Sequence, residues 1–87
     1  MNILPLITEF LGTFLFIVVI IITGNWIAIG ASLAVIGYSI QNISGGHVNP
    51  AVSIAMYLKG SLKGGELFTY MIAQIVAAVS AVYVTSL

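Results

Sequence analysis

The chain has 87 residues, of which 61% are hydrophobic and 5% charged, with zero net charge and no cysteine. An ordinary soluble domain carries about 25% charged residues, and one this small buries only about 60% of its surface, so the composition points to lipid as the solvent. Nothing basic enough for nucleic acid is present, disulfides and thiolate metal sites are excluded, and a lone histidine with two separated glutamates gives no basis for a metal, a cofactor or catalysis.

The four charges are Glu9, Lys59, Lys63 and Glu66. Between Phe10 and Leu58 there is no Asp, Glu, Lys or Arg. A helix needs about 20 residues to cross a bilayer core, and three segments qualify. The first runs from Ile3 to Thr23, with Pro5 tolerable in its first turns, and ends at the turn signal Gly24-Asn25. It carries Glu9, either a carboxylate reaching for the headgroups or an acceptor for buried N–H groups, since an intramembrane acid usually faces the protein with a partner. The second predicted span runs from Trp26 to about Asn42. Gly12, Gly30 and Gly37 lie on these two spans and would permit close helix approach.

Next comes Ser44–Ser53, SGGHVNPAVS, a polar and helix-breaking stretch between apolar segments. It leads into an apolar piece, Pro50 to Leu58, that covers only roughly 14 Å as a helix and cannot span. The second span arrives at one face near Asn42, and the short helix ends at that same face near Lys59. The chain must therefore enter the membrane through residues 43–49 and return as a half-helix over 50–58. Irregular backbone at membrane depth survives only where it is buried in protein or lines a wet cavity. Gly45 and Gly46 allow unusual backbone angles. The carbonyls of Gly45, Gly46 and His47 have no helical partner, so they can serve a hydrogen-bonding solute. Asn49 fits the N-cap and Pro50 the first helical position. With its oxygen on the cap, the Asn49 amide would offer its NH2 near the bilayer midplane, where the helix dipole adds positive potential.

Lys59 and Lys63 fall in the loop 59–65. The positive-inside tendency places that loop and the N-terminus in the cytoplasm and the C-terminus outside. The third span runs from Glu66 to Leu87, with Glu66 suited to a helix start. Trp26, Tyr57, Tyr70 and Tyr83 fall near span ends, where they either anchor at the interface or fill space between helices. Ala73, Ala77 and Ala81 form a stripe of small residues suited to helix packing. The expected fold is an all-α membrane protein, three transmembrane helices plus one re-entrant half-helix, forming a single unit over residues 1–87.

The run Ser44-Gly45-Gly46-His47-Val48-Asn49-Pro50-Ala51-Val52-Ser53 resembles the first signature loop of the aquaporins, the major intrinsic protein family. Glu9-Phe10-Leu11-Gly12-Thr13 is similar to that family's first-helix pattern, and Gln74 is placed like a glutamine the family carries. The resemblance implies a passive pore for water or small uncharged solutes such as glycerol, with protons and ions excluded. It makes Asn49, Pro50, Ala51, Gly45, Gly46 and His47 pore-lining, the last through its backbone carbonyl. It assigns Glu9 and Gln74 to bracing the loop, and puts Ile29, twenty residues before Asn49, at one position of the outer filter. It further implies two inverted halves, each with an Asn-Pro-Ala half-helix, and tetramers with one pore per subunit. This sequence carries one half only. The second loop and its arginine are absent, so the expected partners are the lipid bilayer, the solute and a second half-channel. That half is either a missing C-terminal half or another copy in inverted orientation. The competing expectation is a non-conducting relative that acts by assembling with a partner half or a full-length channel. A membrane enzyme or ion-coupled transporter is disfavoured, because no second intramembrane acid or base pairs with Glu9.

Overall fold

The computed structural model describes residues 2–87; Met1 lies outside the described residues. It contains four helices and, among the described residues, no strand: α1 Leu4–Thr23, α2 Trp26–Ile40, α3 Pro50–Lys59 and α4 Gly64–Thr85. Each boundary has a local cause. Asn2 Oδ1 accepts from Leu4 N–H at 3.0 Å, and Pro5 lies in the first turn of α1. Gly24 stops α1 in the left-handed region, at φ 53°, with its N–H on Ile20 O. Asn25 then caps α2, its Oδ1 taking the N–H groups of Ile27 and Ala28 at 3.0 Å each. Asn49 caps α3 through Ala51 N–H at 2.8 Å, and Gly60 at φ 97° closes it. Glu66 reaches back to the Lys63 N–H at 3.1 Å, so α4 starts at Gly64, two residues earlier than the sequence suggests.

α1 and α4 are long and apolar enough to cross a bilayer, with mean hydropathies of 2.5 and 1.9. α2 has 15 residues and ends at Ile40 rather than Asn42. Its coil nonetheless continues: Ser44 N–H bonds Ile40 O and Gly45 N–H bonds Gln41 O, while Ile43 N–H on Ile40 O tightens the turn. The half-helix α3 has 10 residues, about 15 Å of rise.

α1 packs against α4 and α2, and α3 packs against α4. The distribution of side chains is the reverse of a water-soluble protein. Trp26 is 80% exposed, Leu58 76% and Ile22 70%, whereas Glu9, Thr13, Ser44, His47, Ser53 and Gln74 are buried. An apolar exterior on this scale fits lipid. Small residues allow the helices to close around the polar core: Ala77 and Ala81 on α4 are fully buried. Gly12 meets Val48, Ile36 and Ile40, each within 3.0 Å of where a Cβ would stand. Gly46 in the loop comes close to Gly37, its Cβ position lying 3.1 Å from Gly37 O, but a Cβ on Gly37 itself would meet nothing within 4 Å, so Gly37 is not needed for close helix approach as the sequence suggests. Gly30 departs from the sequence expectation. It is exposed, and a Cβ there would meet nothing within 4 Å, so no helix of this chain uses it for close approach.

Candidate functional site

The segment between α2 and α3 is held by one carboxylate. Glu9 is fully buried on α1. Its Oε2 accepts from Ser44 Oγ at 2.6 Å and His47 N–H at 3.0 Å; its Oε1 accepts from Val48 N–H at 2.7 Å and Gln74 Nε2 at 3.0 Å. Four donors fill the capacity of an ionised carboxylate. The Gly46 N–H turns to Ser44 Oγ at 3.3 Å. The N–H groups of residues 46–48 are thus all drawn toward protein. The carbonyls of Gly45, Gly46, His47 and Val48 accept no hydrogen bond from the described residues.

This arrangement requires unusual backbone. Gly45 and Gly46 have φ of 93° and 64°, which glycine adopts freely, but Val48 also has a positive φ, 45°. A β-branched residue there is strained by about 1–3 kcal/mol. The Val48 N–H is secured by Glu9 and its side chain is buried against Gly12, so tertiary contacts offset that cost.

From the other side, α4 contributes Tyr70 and Gln74. The Tyr70 hydroxyl donates to the Ser44 carbonyl at 2.8 Å, and its ring lies tilted against the His47 imidazole with centroids 5.2 Å apart. Tyr70 is therefore a buried strut, unlike Trp26 and Tyr83, which are exposed. Gln74 Nε2 also donates to Ser53 Oγ at 2.9 Å, and His47 Nδ1 lies 2.9 Å from that same oxygen. Gln74 Oε1 and Thr13 Oγ1 are buried with no partner among the described residues.

Glu9, Gln74, His47 and the two loop glycines are thus brought into one connected cluster. Asn49, Pro50 and Ala51 follow directly, and Asn49 and Ala51 are exposed. Asn49 Oδ1 is committed to the cap, which leaves its NH2 without a partner in the hydrogen bonding of the described residues. Ile29 stands apart. It is half-buried in the first turn of α2, eleven residues before Ile40, or about 16 Å along the axis. Ser53 and Tyr70 complete the cluster without having been singled out for the site by sequence. Their signal was positional only: Ser53 is one turn after Asn49, and Tyr70 one turn before Gln74. A cleft of about 590 Å3 opens between the first turns of α1 and α4, lined by Asn2, Pro5, Lys63, Glu66 and Tyr70 among others, beside the cluster rather than along the free carbonyls.

Comparison with known proteins bears on this arrangement. The profile of the major intrinsic protein family matches residues 2–87. The chain is similar to a protein named glycerol uptake facilitator protein-like 6 from Lactiplantibacillus plantarum, at 39% identity over 82 residues, covering 84% of this chain and 38% of the relative. It is 38% identical over 58 residues to an aquaporin Z of Brucella melitensis, covering 67% of this chain and 25% of the relative. It is 42% identical over 59 residues to a probable aquaporin AqpM of Archaeoglobus fulgidus, covering 63% and 24%. The chain spans between about a quarter and two fifths of the length of these curated relatives. No solved structure matches it.

Proposed function

This chain belongs to the major intrinsic protein family, and from that premise we propose that it forms one half of a passive channel for water or small uncharged solutes such as glycerol. The family consists of channels, not enzymes. The observation that carries the reading is the polarity of the segment before α3. Its N–H groups are tied to Glu9 and Ser44, while the carbonyls of Gly45, Gly46, His47 and Val48 remain free to accept. A neutral solute can donate to these in turn. At the end of the row, the unpartnered NH2 of Asn49 donates, and the α3 dipole adds positive potential. A hydroxyl or water oxygen accepts there, whereas a cation is repelled, as in aquaporin-type selectivity generally.

In this reading residues 1–87 are one half-channel. α1, α2 and α4 cross the bilayer and α3 re-enters. The loop bearing Lys59 and Lys63 lies in the cytoplasm with the N-terminus, and the C-terminus lies outside. Ile29 contributes to the outer constriction. The other wall of the pore comes from a second half, and complete pores assemble as tetramers. Exposure supports this: Gly45, Asn49 and Ala51 are left uncovered by this chain.

The test is osmotic shrinkage of vesicles followed by rapid-mixing light scattering. Vesicles holding the chain together with a complementary second half should shrink faster than empty ones, with no accompanying cation current. The chain alone decides whether one half suffices: shrinkage at the empty-vesicle rate assigns the second half an obligatory role. Shrinkage at that rate with both halves present and folded would overturn conduction and favour a non-conducting assembly partner.

A further inference from the structure

Ser53 lies at the centre of the buried cluster, and the channel reading gives it no role. Its side chain is fully buried. Two atoms stand within hydrogen-bond distance of its Oγ, Gln74 Nε2 and His47 Nδ1, each at 2.9 Å. The Gln74 amide is oriented by Glu9: the nitrogen that faces Ser53 also faces the carboxylate at 3.0 Å, and an ionised carboxylate only accepts. Gln74 therefore donates to Ser53, whose own O–H must find an acceptor. The usual helical recourse, donation to the carbonyl four residues back, is not taken. That carbonyl, on Asn49, receives the Ser53 backbone N–H at 3.1 Å, but the Ser53 hydroxyl makes no bond to it, its contacts being Gln74 and His47. Among the described residues His47 Nδ1 is the one acceptor in reach.

We propose that Ser53 is a positioning residue that sets the tautomer of His47, with Nδ1 bare and accepting from the serine hydroxyl, and the ring proton on Nε2. In the opposite tautomer, Nδ1–H would point at an oxygen already accepting from Gln74, and the hydroxyl proton of a fully buried serine would have no acceptor. The tilted Tyr70 ring holds the imidazole plane from the other side. Nε2 makes no hydrogen bond to the described residues and lies against Gly45, 2.8 Å from where a Cβ on that glycine would stand. One N–H donor therefore stands against Gly45, the first residue of the run with free carbonyls. A solute whose hydroxyl both donates and accepts, such as water or a polyol, suits that pair. This last step rests on the channel reading; the tautomer does not.

The chain has a single histidine, so the test needs no assignment. The 15N-histidine-labelled full chain in lipid bilayers, studied by NMR at a pH where the ring is neutral, should carry its proton on Nε2. The excess over the Nδ1–H form should be on the order of tenfold, the size expected from one hydrogen bond of ordinary strength. Ser53→Ala should reduce that excess to the weak preference of a free imidazole, and Ser53→Thr, which keeps a hydroxyl, should retain it. A proton on Nδ1 in the unaltered chain, or an undiminished excess in Ser53→Ala, overturns the proposal. Should Ser53→Ala fail to fold, magnetisation transfer from the Ser53 hydroxyl proton to Nδ1 in the unaltered chain decides, and its absence overturns the proposal too. None of these readouts requires conduction, so a chain that passes no water still decides the tautomer.

Discussion

Gly12 and Val48 permit each other's positions. A Cβ on Gly12 would stand 2.9 Å from Val48 Cγ1, and Val48 sits at a φ of 45° with its side chain pressed into that gap. The missing side chain on α1 is what lets the loop bring the Val48 N–H to Glu9, one turn earlier on the same helix face.

Gly12→Ala should therefore be costly despite alanine's better helix propensity. The new methyl would also meet Ile36 and Ile40 at 3.0 Å each, and overpacking of this kind costs about 1–3 kcal/mol. Thermal unfolding in detergent should show the loss. Hydrogen exchange at the Val48 amide should speed up by more than the global change accounts for.

Glu9→Gln keeps the shape and removes the charge. An amide offers one oxygen where the site needs two, and its NH2 would face groups that already donate. At least one buried donor is then orphaned, at about 1–3 kcal/mol. The expected result is a lower melting temperature together with the loss of solute flux in assembled channels. Normal flux in the Gln variant would remove Glu9 from its bracing role.

Asn49→Asp separates the two tasks of one side chain. Aspartate caps a helix about as well as asparagine, so stability should change by less than about 0.5 kcal/mol, but it has no NH2 to donate. Flux assays with the second half present should show altered solute passage and a new cation leak, measured as current. Asn49→Ala should instead cost about 1 kcal/mol through the lost cap.

Tyr70→Phe keeps the ring against His47 and removes the hydroxyl that donates to the Ser44 carbonyl at 2.8 Å. The cost should be about 1 kcal/mol. Amide exchange at Gly46 and His47 should rise more than at α1, because the Ser44 carbonyl would lose its tie to α4.

Much of this arrangement could be read from the sequence because it is local. Asn49 and Pro50 each specify a helix start by their own chemistry, and the length of 50–58 forbids a crossing whatever surrounds it. Glu9 was conspicuous as the one acid inside an apolar run. The ends of α2 and α4 were less legible. The coil past Ile40 tightens gradually, and Glu66 caps α4 from inside the helix, so composition marks neither point.

Ser53, Tyr70 and Val48 were obscured for a different reason. Serine and tyrosine in a membrane helix carry no marker of which face they occupy, and their roles depend on α4 standing beside α3. Valine favours extended backbone, so its left-handed geometry is a tertiary override created by Glu9 and Gly12. Gly30 errs the other way. Small residues suggest close contact, but only a neighbour makes one, and none comes near it in this chain.

The polar cluster also bears on how the chain enters a bilayer. Glu9 and Gln74 are 65 residues apart, so the acid on α1 is made well before its amide partner and the loop donors. Neither the bare carboxylate nor residues 44–48 can rest in hydrocarbon unaccompanied. Until the loop and α4 arrive, Glu9 must therefore stay at a wet or protein-lined site or take up a proton, a cost that the apolar remainder of α1 can carry. The polar core is thus completed last, and a ribosome stalled before Gln74 should leave the loop amides of His47 and Val48 exchanging freely with water.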